Sequence, residues 1–346
     1  MKSKKVAHSA RGANLAKGAS IAPKKSAHLA KSLYFAKSAR FLLVRFKKRF
    51  HATQKQFHFT RFHTTQIKER FFYALFALSA GISIVAVVAI CAFLFGNAIP
   101  TLGKIGAIEF IFGFDWYPNE EIFGIFAMII GSLYISALAI AIATPLGIFS
   151  AIYLSYFCPK NAKKFILPCI ELLGAIPSVV YGFFGLVIVV PFLSQIFGGI
   201  SGKGILCASL ILAIMILPTI ILLSKSAIDA IPKSYFEGAL ALGASAEWAV
   251  FCVVARAAKS GILASVILGV GRAIGEAMAV IMVAGNQVQI PHSIFDGART
   301  LTTNIVLEMG YASGLHRDVL IANAAVLFVF ILIINASFNA IKKGAK

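Results

Sequence analysis

Acidic residues are scarce in this 346-residue chain: 13 Asp and Glu stand against 33 Lys and Arg, for a formal net charge of +20. Charged residues of either sign make up 13% and hydrophobic ones 59%, too little polar material to cover a soluble globule. That excludes a soluble enzyme or binding module and leaves an integral membrane protein. No G-x-x-x-x-G-K-S/T pattern occurs, so the chain has no P-loop of its own. "GVGRAIG" at 269–275 is glycine-rich, but it lies inside an apolar run with no strand before it, a poor context for a nucleotide cradle. The five cysteines, at 91, 158, 169, 207 and 252, include no C-x-x-C pair, which argues against a disulfide framework and a metal site and leaves packing as their role.

What is abundant is apolar sequence. Six long stretches, at about 71–97, 122–157, 165–197, 204–224, 260–285 and 319–341, each reach the roughly 20 residues that span a bilayer core. The expected fold class is therefore all-α: a polytopic six-helix transmembrane bundle over residues 67–346. Pro145, Pro168, Pro177 and Pro191 predict kinked or interrupted helices in the second and third stretches.

Lys and Arg orient the bundle. Eighteen lie in residues 1–70, three in "CPKNAKKF" from Cys158, four from Lys225 to Lys259 and three after Ile341. The other side keeps only Lys104, Lys203, Arg299 and Arg317, beside Glu109, Asp115, Glu120 and Glu121. The positive-inside rule then puts both termini in the cytoplasm. Residues 1–66 read as a basic, disordered cytoplasmic arm with no apolar run long enough for a signal peptide. Such an arm can bind anionic membrane lipid or nucleic acid, or only reinforce topology, and the composition favours the last; no nucleic acid is expected as a partner. Its histidines, His8, His28, His51, His58 and His63, lack the spacing of a metal site.

One cation is left over, Arg272, and it falls within an apolar run with Glu276 four residues on. A charge at the bilayer centre costs at least roughly 2.5 to 3.5 kcal/mol, so the pair asks for a function. On a continuous helix both would share one face, as an ion pair pinning helices or as part of a transport pathway. Gly271, Gly275 and Ala279 form a small-residue stripe beside them, suited to close helix packing. Pro177, Ser178 and Tyr181 either line a pathway or shape the third span. Glu171, near the same span, is given no role.

The segment from about 226 to 259 predicts two short helices, one opened by Pro232 and Ser234, the next beginning near Ser245, joined at Gly243. Leu240, Leu242, Val250 and Phe251 would give it an apolar surface needing a cover, from a partner or from lipid headgroups.

Three motifs carry a family resemblance. Glu237-Gly238-Ala239, three residues, then Gly243 resembles the E-A-A-x-x-x-G loop by which permease subunits of ABC importers dock onto their ATPases. "IPSVVYGFFGL" at 176–186 and "GRAIGEAMAVIMVAGN" at 271–286 are similar to the permeases of phosphate-specific importers, of the PstC type, and the resemblance covers about residues 67–342. Gly238 in place of Ala, and Ala255-Arg256 in place of the usual Leu-Pro, depart from the loop pattern. The resemblance implies a type I importer permease in the bacterial inner membrane, with no catalytic residues, cofactor or metal of its own. Its implied partners are a second permease subunit, two copies of a cytoplasmic ATPase subunit that bind the ATP, and an extracytoplasmic phosphate-binding protein. Glu237, Gly238, Ala239 and Gly243 become the coupling residues. Arg272 becomes the cation that offsets phosphate charge, with Glu276 orienting or neutralising it, or accepting a proton from monohydrogen phosphate while repelling sulfate. A molybdate or sulfate permease, and an ion-coupled secondary transporter, are the alternatives.

Overall fold

The computed structural model describes residues 65–198 and 201–344 and divides into two units, residues 1–80 and 81–346. The arm assigned to residues 1–66 lies outside the described residues except for Thr65 and Gln66, which already belong to helix α1 (Thr65–Ile105). In the first unit, Phe72 and Phe76 stack one turn apart, with ring centroids 6.5 Å from each other.

In the second unit, α1 ends at Ile105 and a short helix, α2 (Ala107–Phe112), leads into a two-residue ribbon of β1 (Trp116–Tyr117) and β2 (Ile122–Phe123). This ribbon and an isolated bridge between Gly285 and Ala298 are the departures from an all-α fold among the described residues. It closes through Pro118 and a left-handed Glu121. Next come α3 (Phe126–Ile152), prolonged by a π-helical turn to Phe157, and α4 (Lys160–Ala175). Helices α5 (Ser178–Phe184) and α6 (Val190–Ile196) are joined by a π turn and followed by α7 (Ile205–Asp229) and α8 (Lys233–Ala241). The rest is α9 (Ala246–Trp248), a π turn to Val254, α10 (Ala255–Ala257), α11 (Lys259–Gly275), α12 (Met278–Val283), α13 (Leu301–Glu308) and α14 (Gly314–Gly344).

Among the described residues, five helical segments are long and apolar enough to cross a membrane: Phe72–Ile105, Phe126–Phe157, Ser178–Ile196, Ile205–Asp229 and Gly314–Ser337. A sixth crossing needs the pair Ala246–Ala257 and Lys259–Gly275, bent by 70°. The interruption expected in the third stretch is found: Ile176 adopts extended backbone before Pro177, as steric conflict with a following proline ring favours, and the crossing itself begins at Ser178 rather than 165, with α4 separate from it. The 260–285 stretch, expected as one span, is corrected: it breaks at Glu276, which is also extended. Pro145, by contrast, stays inside α3 without interrupting it.

The core lies between α3 and α7, where Ala139, Ala143, Ala208 and Ala213 bring the helices close and Ile135, Leu212, Ile216 and Ile220 fill the gap. Sealing both faces of α7 in this way removes most of its apolar surface from lipid as well as water, and dispersion between packed side chains is what holds such an interface.

Candidate functional site

Helix α11 runs along α7 through a series of close contacts that sets the register of both. A Cβ at Gly261 would lie 2.4 Å from the Ala227 Cβ, so only glycine admits this approach. One turn on, the Ser224 and Ser265 hydroxyls meet at 2.6 Å in a fully buried hydrogen bond, and Ser265 also donates to the Ile262 carbonyl at 2.7 Å. Gly269 then packs on Ile220. At the end of this series Arg272 Nη1 donates to Thr219 Oγ1 at 3.1 Å. Arg272 is exposed on the surface of this chain, and among the described residues no carboxylate lies within ion-pair distance of it. Gly271 and Gly275 beside it face open space, while Ala279, the third member of the small-residue stripe, is buried against Gly182; within this chain the close approach of α11 to α7 is made at Gly261 and Gly269.

Glu276 makes no ion pair with Arg272. The helix ends at Gly275, the backbone departs from it at Glu276 (φ −75°, ψ 129°), and Glu276 Oε1 accepts from Ala279 N at 3.2 Å, at the start of α12. Its carbonyl accepts from Thr302 Oγ1 at 3.0 Å, which satisfies a backbone group freed by the break. The i, i+4 ion pair expected from spacing is thus corrected, because spacing assumes an unbroken helix.

The second break is adjacent. Pro177 is exposed and Ser178 half-buried at the start of α5, while Tyr181 is buried and its hydroxyl donates to the Leu173 carbonyl at 2.7 Å, bridging back across the interruption. Tyr181 packs with Ala279, Ile211 and Met215, and a Cβ on Gly182 would come within 2.9 Å of Ala279 Cα. The two interrupted spans and the lone cation therefore share one neighbourhood, while Tyr181 shapes the break rather than facing outward.

A second charged cluster escaped the sequence reading, which treated Arg299 as a loop cation and gave Glu308 no role. Glu308, at the last position of α13, keeps 6% of its side chain exposed. One carboxylate oxygen accepts from Arg299 Nη1 at 2.6 Å; the other accepts from Trp116 Nε1 at 2.9 Å and meets His316 Nε2 at 2.8 Å. Arg299 also donates to Asn304 Oδ1 at 3.1 Å and to the Asn286 carbonyl at 3.2 Å. Partial burial and the Glu308 charge raise the neighbouring Tyr311 phenol above its usual value, with Arg299 opposing. The only available signal was a Glu and an Arg nine residues apart around the capping residue Thr300.

The 226–259 segment folds as two helical pieces separated at Gly243, whose φ of +88° favours glycine. Pro232 opens α8, and the Ser245 hydroxyl caps the next helix by accepting from Trp248 N at 3.3 Å. Glu237 and Gly238 are exposed and Ala239 is buried. Leu242 is 91% exposed and, with Tyr235, Trp248 and Val253, borders a cleft of about 660 Å³ that also takes in Ala239 and Gly243. Val250, expected on that surface, is buried instead against Ile152, Ile228 and Ile262. Where the family pattern has Leu-Pro, the helix simply ends at Ala257 and the chain bends at Ala258.

Residues 143–346 match the family described as binding-protein-dependent transport system inner membrane component. A probable ABC transporter permease protein, YqgH of Bacillus subtilis, is 40% identical over 73% of this chain and 85% of its own length. The phosphate transport system permease protein PstC of Mesorhizobium japonicum is 37% identical over 70% of this chain and 80% of its own. Among solved structures, a chain of a bacterial ABC transporter involved in alginate import superposes with a TM-score of 0.52 at 16% identity, covering 79% of this chain and 98% of that one, which speaks for the fold. With several apolar crossings and this match over more than half its length, the chain is a multi-pass membrane protein and belongs to the family of binding-protein-dependent transport system inner membrane components.

Proposed function

We propose that the chain is the permease subunit of an ATP-driven phosphate importer and that Arg272 meets the substrate in the membrane. The observation that carries this is the state of Arg272: an exposed cation on a membrane helix whose one side-chain hydrogen bond among the described residues is to a neutral hydroxyl, beside Gly271 and Gly275, which face open space. A guanidinium left unneutralised suits an oxyanion with several acceptor oxygens. Similarity to permeases named for phosphate transport selects phosphate over molybdate or sulfate. In the complex the open face would be closed by a second permease subunit, and an extracytoplasmic binding protein would deliver the anion.

The cleft and Glu237 support a docking role for the 226–259 segment toward two copies of a cytoplasmic ATPase, which supply the hydrolysis. That assignment needs both termini and this segment in the cytoplasm, as the Lys and Arg distribution indicates. Residues 1–66 would then form a cytoplasmic arm dispensable for transport, and residues 67–346 the permease domain.

Two variants test the reading in the complete complex reconstituted into proteoliposomes. Arg272→Gln should abolish ATP-driven phosphate uptake while the complex assembles in normal yield; uptake at the wild-type level would refute the pathway role, and failure to assemble would make Arg272 a packing residue. Gly243→Val forces a β-branched side chain into left-handed backbone, at a cost of about 1–2 kcal/mol or more, and should weaken ATPase association or uncouple hydrolysis from uptake. A Cβ at Gly243 meets nothing within 4 Å, so the effect would be on loop conformation alone.

A further inference from the structure

We infer that Thr219 is a positioning residue for the Arg272 guanidinium, an assignment that rests on the pathway role proposed above. Arg272 has four rotatable side-chain bonds, and on an open face nothing but its partners would hold the fork in one orientation. Its one side-chain partner among the described hydrogen bonds is Thr219 Oγ1. Thr219 itself is placed with little freedom. It follows the buried Pro218 and precedes the fully buried Ile220 on α7, and its β-branched side chain is stiff at χ1.

The register of α7 against α11 is fixed below this contact by three tighter ones: Ala227 on Gly261, Ser224 on Ser265, and Ile220 on Gly269. Thr219–Arg272 is the last in that series and the only one that reaches the open face. The chemistry of the partner matters as much as its place. A carboxylate here would neutralise the guanidinium and compete with an incoming anion, whereas a hydroxyl accepts one N–H and leaves the full positive charge and the remaining donors available. Glu276, the residue that sequence spacing nominates for this task, is engaged by Ala279 N beyond the helix break. Thr219 fills the role without cancelling the charge.

The test compares Thr219→Val, which keeps the shape and removes the acceptor, with Thr219→Ser, which keeps the hydroxyl. Both are assembled with the second permease, the ATPase and the binding protein in proteoliposomes, and phosphate uptake and complex yield are measured beside Arg272→Gln. Loss of one hydrogen bond to a charged group predicts that Thr219→Val slows uptake roughly tenfold or more at unchanged complex yield, with Thr219→Ser close to wild type. Wild-type uptake by Thr219→Val, equal losses in the two Thr219 variants, or a fall in complex yield would each overturn the assignment. Arg272→Gln separates the levels: if it abolishes uptake while Thr219→Val does not slow it, only the positioning role fails; if it transports normally, the pathway reading fails as well.

Discussion

Two arginine–glutamate combinations lie in this chain, and they have opposite fates. Arg299 and Glu308 are nine residues apart, yet they meet at 2.6 Å and draw in Trp116, His316 and Asn304 until the carboxylate has a donor on every side. Arg272 and Glu276 are four residues apart, the ideal helical spacing, yet a break between them sends one to Thr219 and the other to Ala279 N. The first combination spends its charge on structure, joining the β1 ribbon, α13 and α14. The second keeps its cation unneutralised. The first set of charges is engaged within the chain, while an unpaired charge beside a broken helix is left available to meet something else.

Substitutions sharpen that contrast, and stability of the purified protein in detergent ranks them. Glu308→Ala should be the most damaging, because it leaves Arg299 charged and largely enclosed with no counter-charge and strips Trp116 and His316 of their acceptor; breaking a buried pair from one side costs about 3–5 kcal/mol. A thermal midpoint within a degree of wild type would contradict the closed-network reading. His316→Ala removes one of three donors to Glu308 and the ring contacts with Phe123 and Tyr311, so a loss of about 1–2 kcal/mol is expected in the same melt.

Glu276→Gln should be nearly silent in stability, within about 0.5 kcal/mol, since an amide oxygen can still cap α12. Its effect should be on selectivity. A carboxylate near the pathway can accept a hydrogen bond from the P–OH of monohydrogen phosphate and repels sulfate, which has no such donor, so the glutamine variant should narrow the preference for phosphate over sulfate. A binding-protein-independent complex is the right assay, because upstream selection cannot then mask the change. An unchanged preference would reduce Glu276 to the helix cap that its contact with Ala279 N describes.

Apolar run length located the crossings that lie on single helices, since hydropathy reports directly on partition into lipid. It failed where backbone geometry intervened. The break at Ile176–Pro177 was signalled by the proline and not by hydropathy, whereas the break at Glu276–Ala277 has no proline to mark it, and mean hydropathy over a long run does not register where the backbone leaves the helix. The glycine at 243 and the cap at Ser245 were legible because their effects are local, within three residues. Glu308 was illegible for the opposite reason: its partners come from residues 116, 299 and 316, and no local window contains them.

The sequence by itself determined that this chain enters a membrane and that Arg272 stands apart from all other cations, because partition and charge placement depend on residue type and order alone. Only the tertiary structure decided what Arg272 is bound to. Its partner is a threonine 53 positions away, brought there by the packing of α7 on α11, and its sequence neighbour Glu276 is engaged instead by Ala279 N across the helix break. Contacts between helices are set by which small residues allow close approach, a property of two surfaces together that neither helix carries alone.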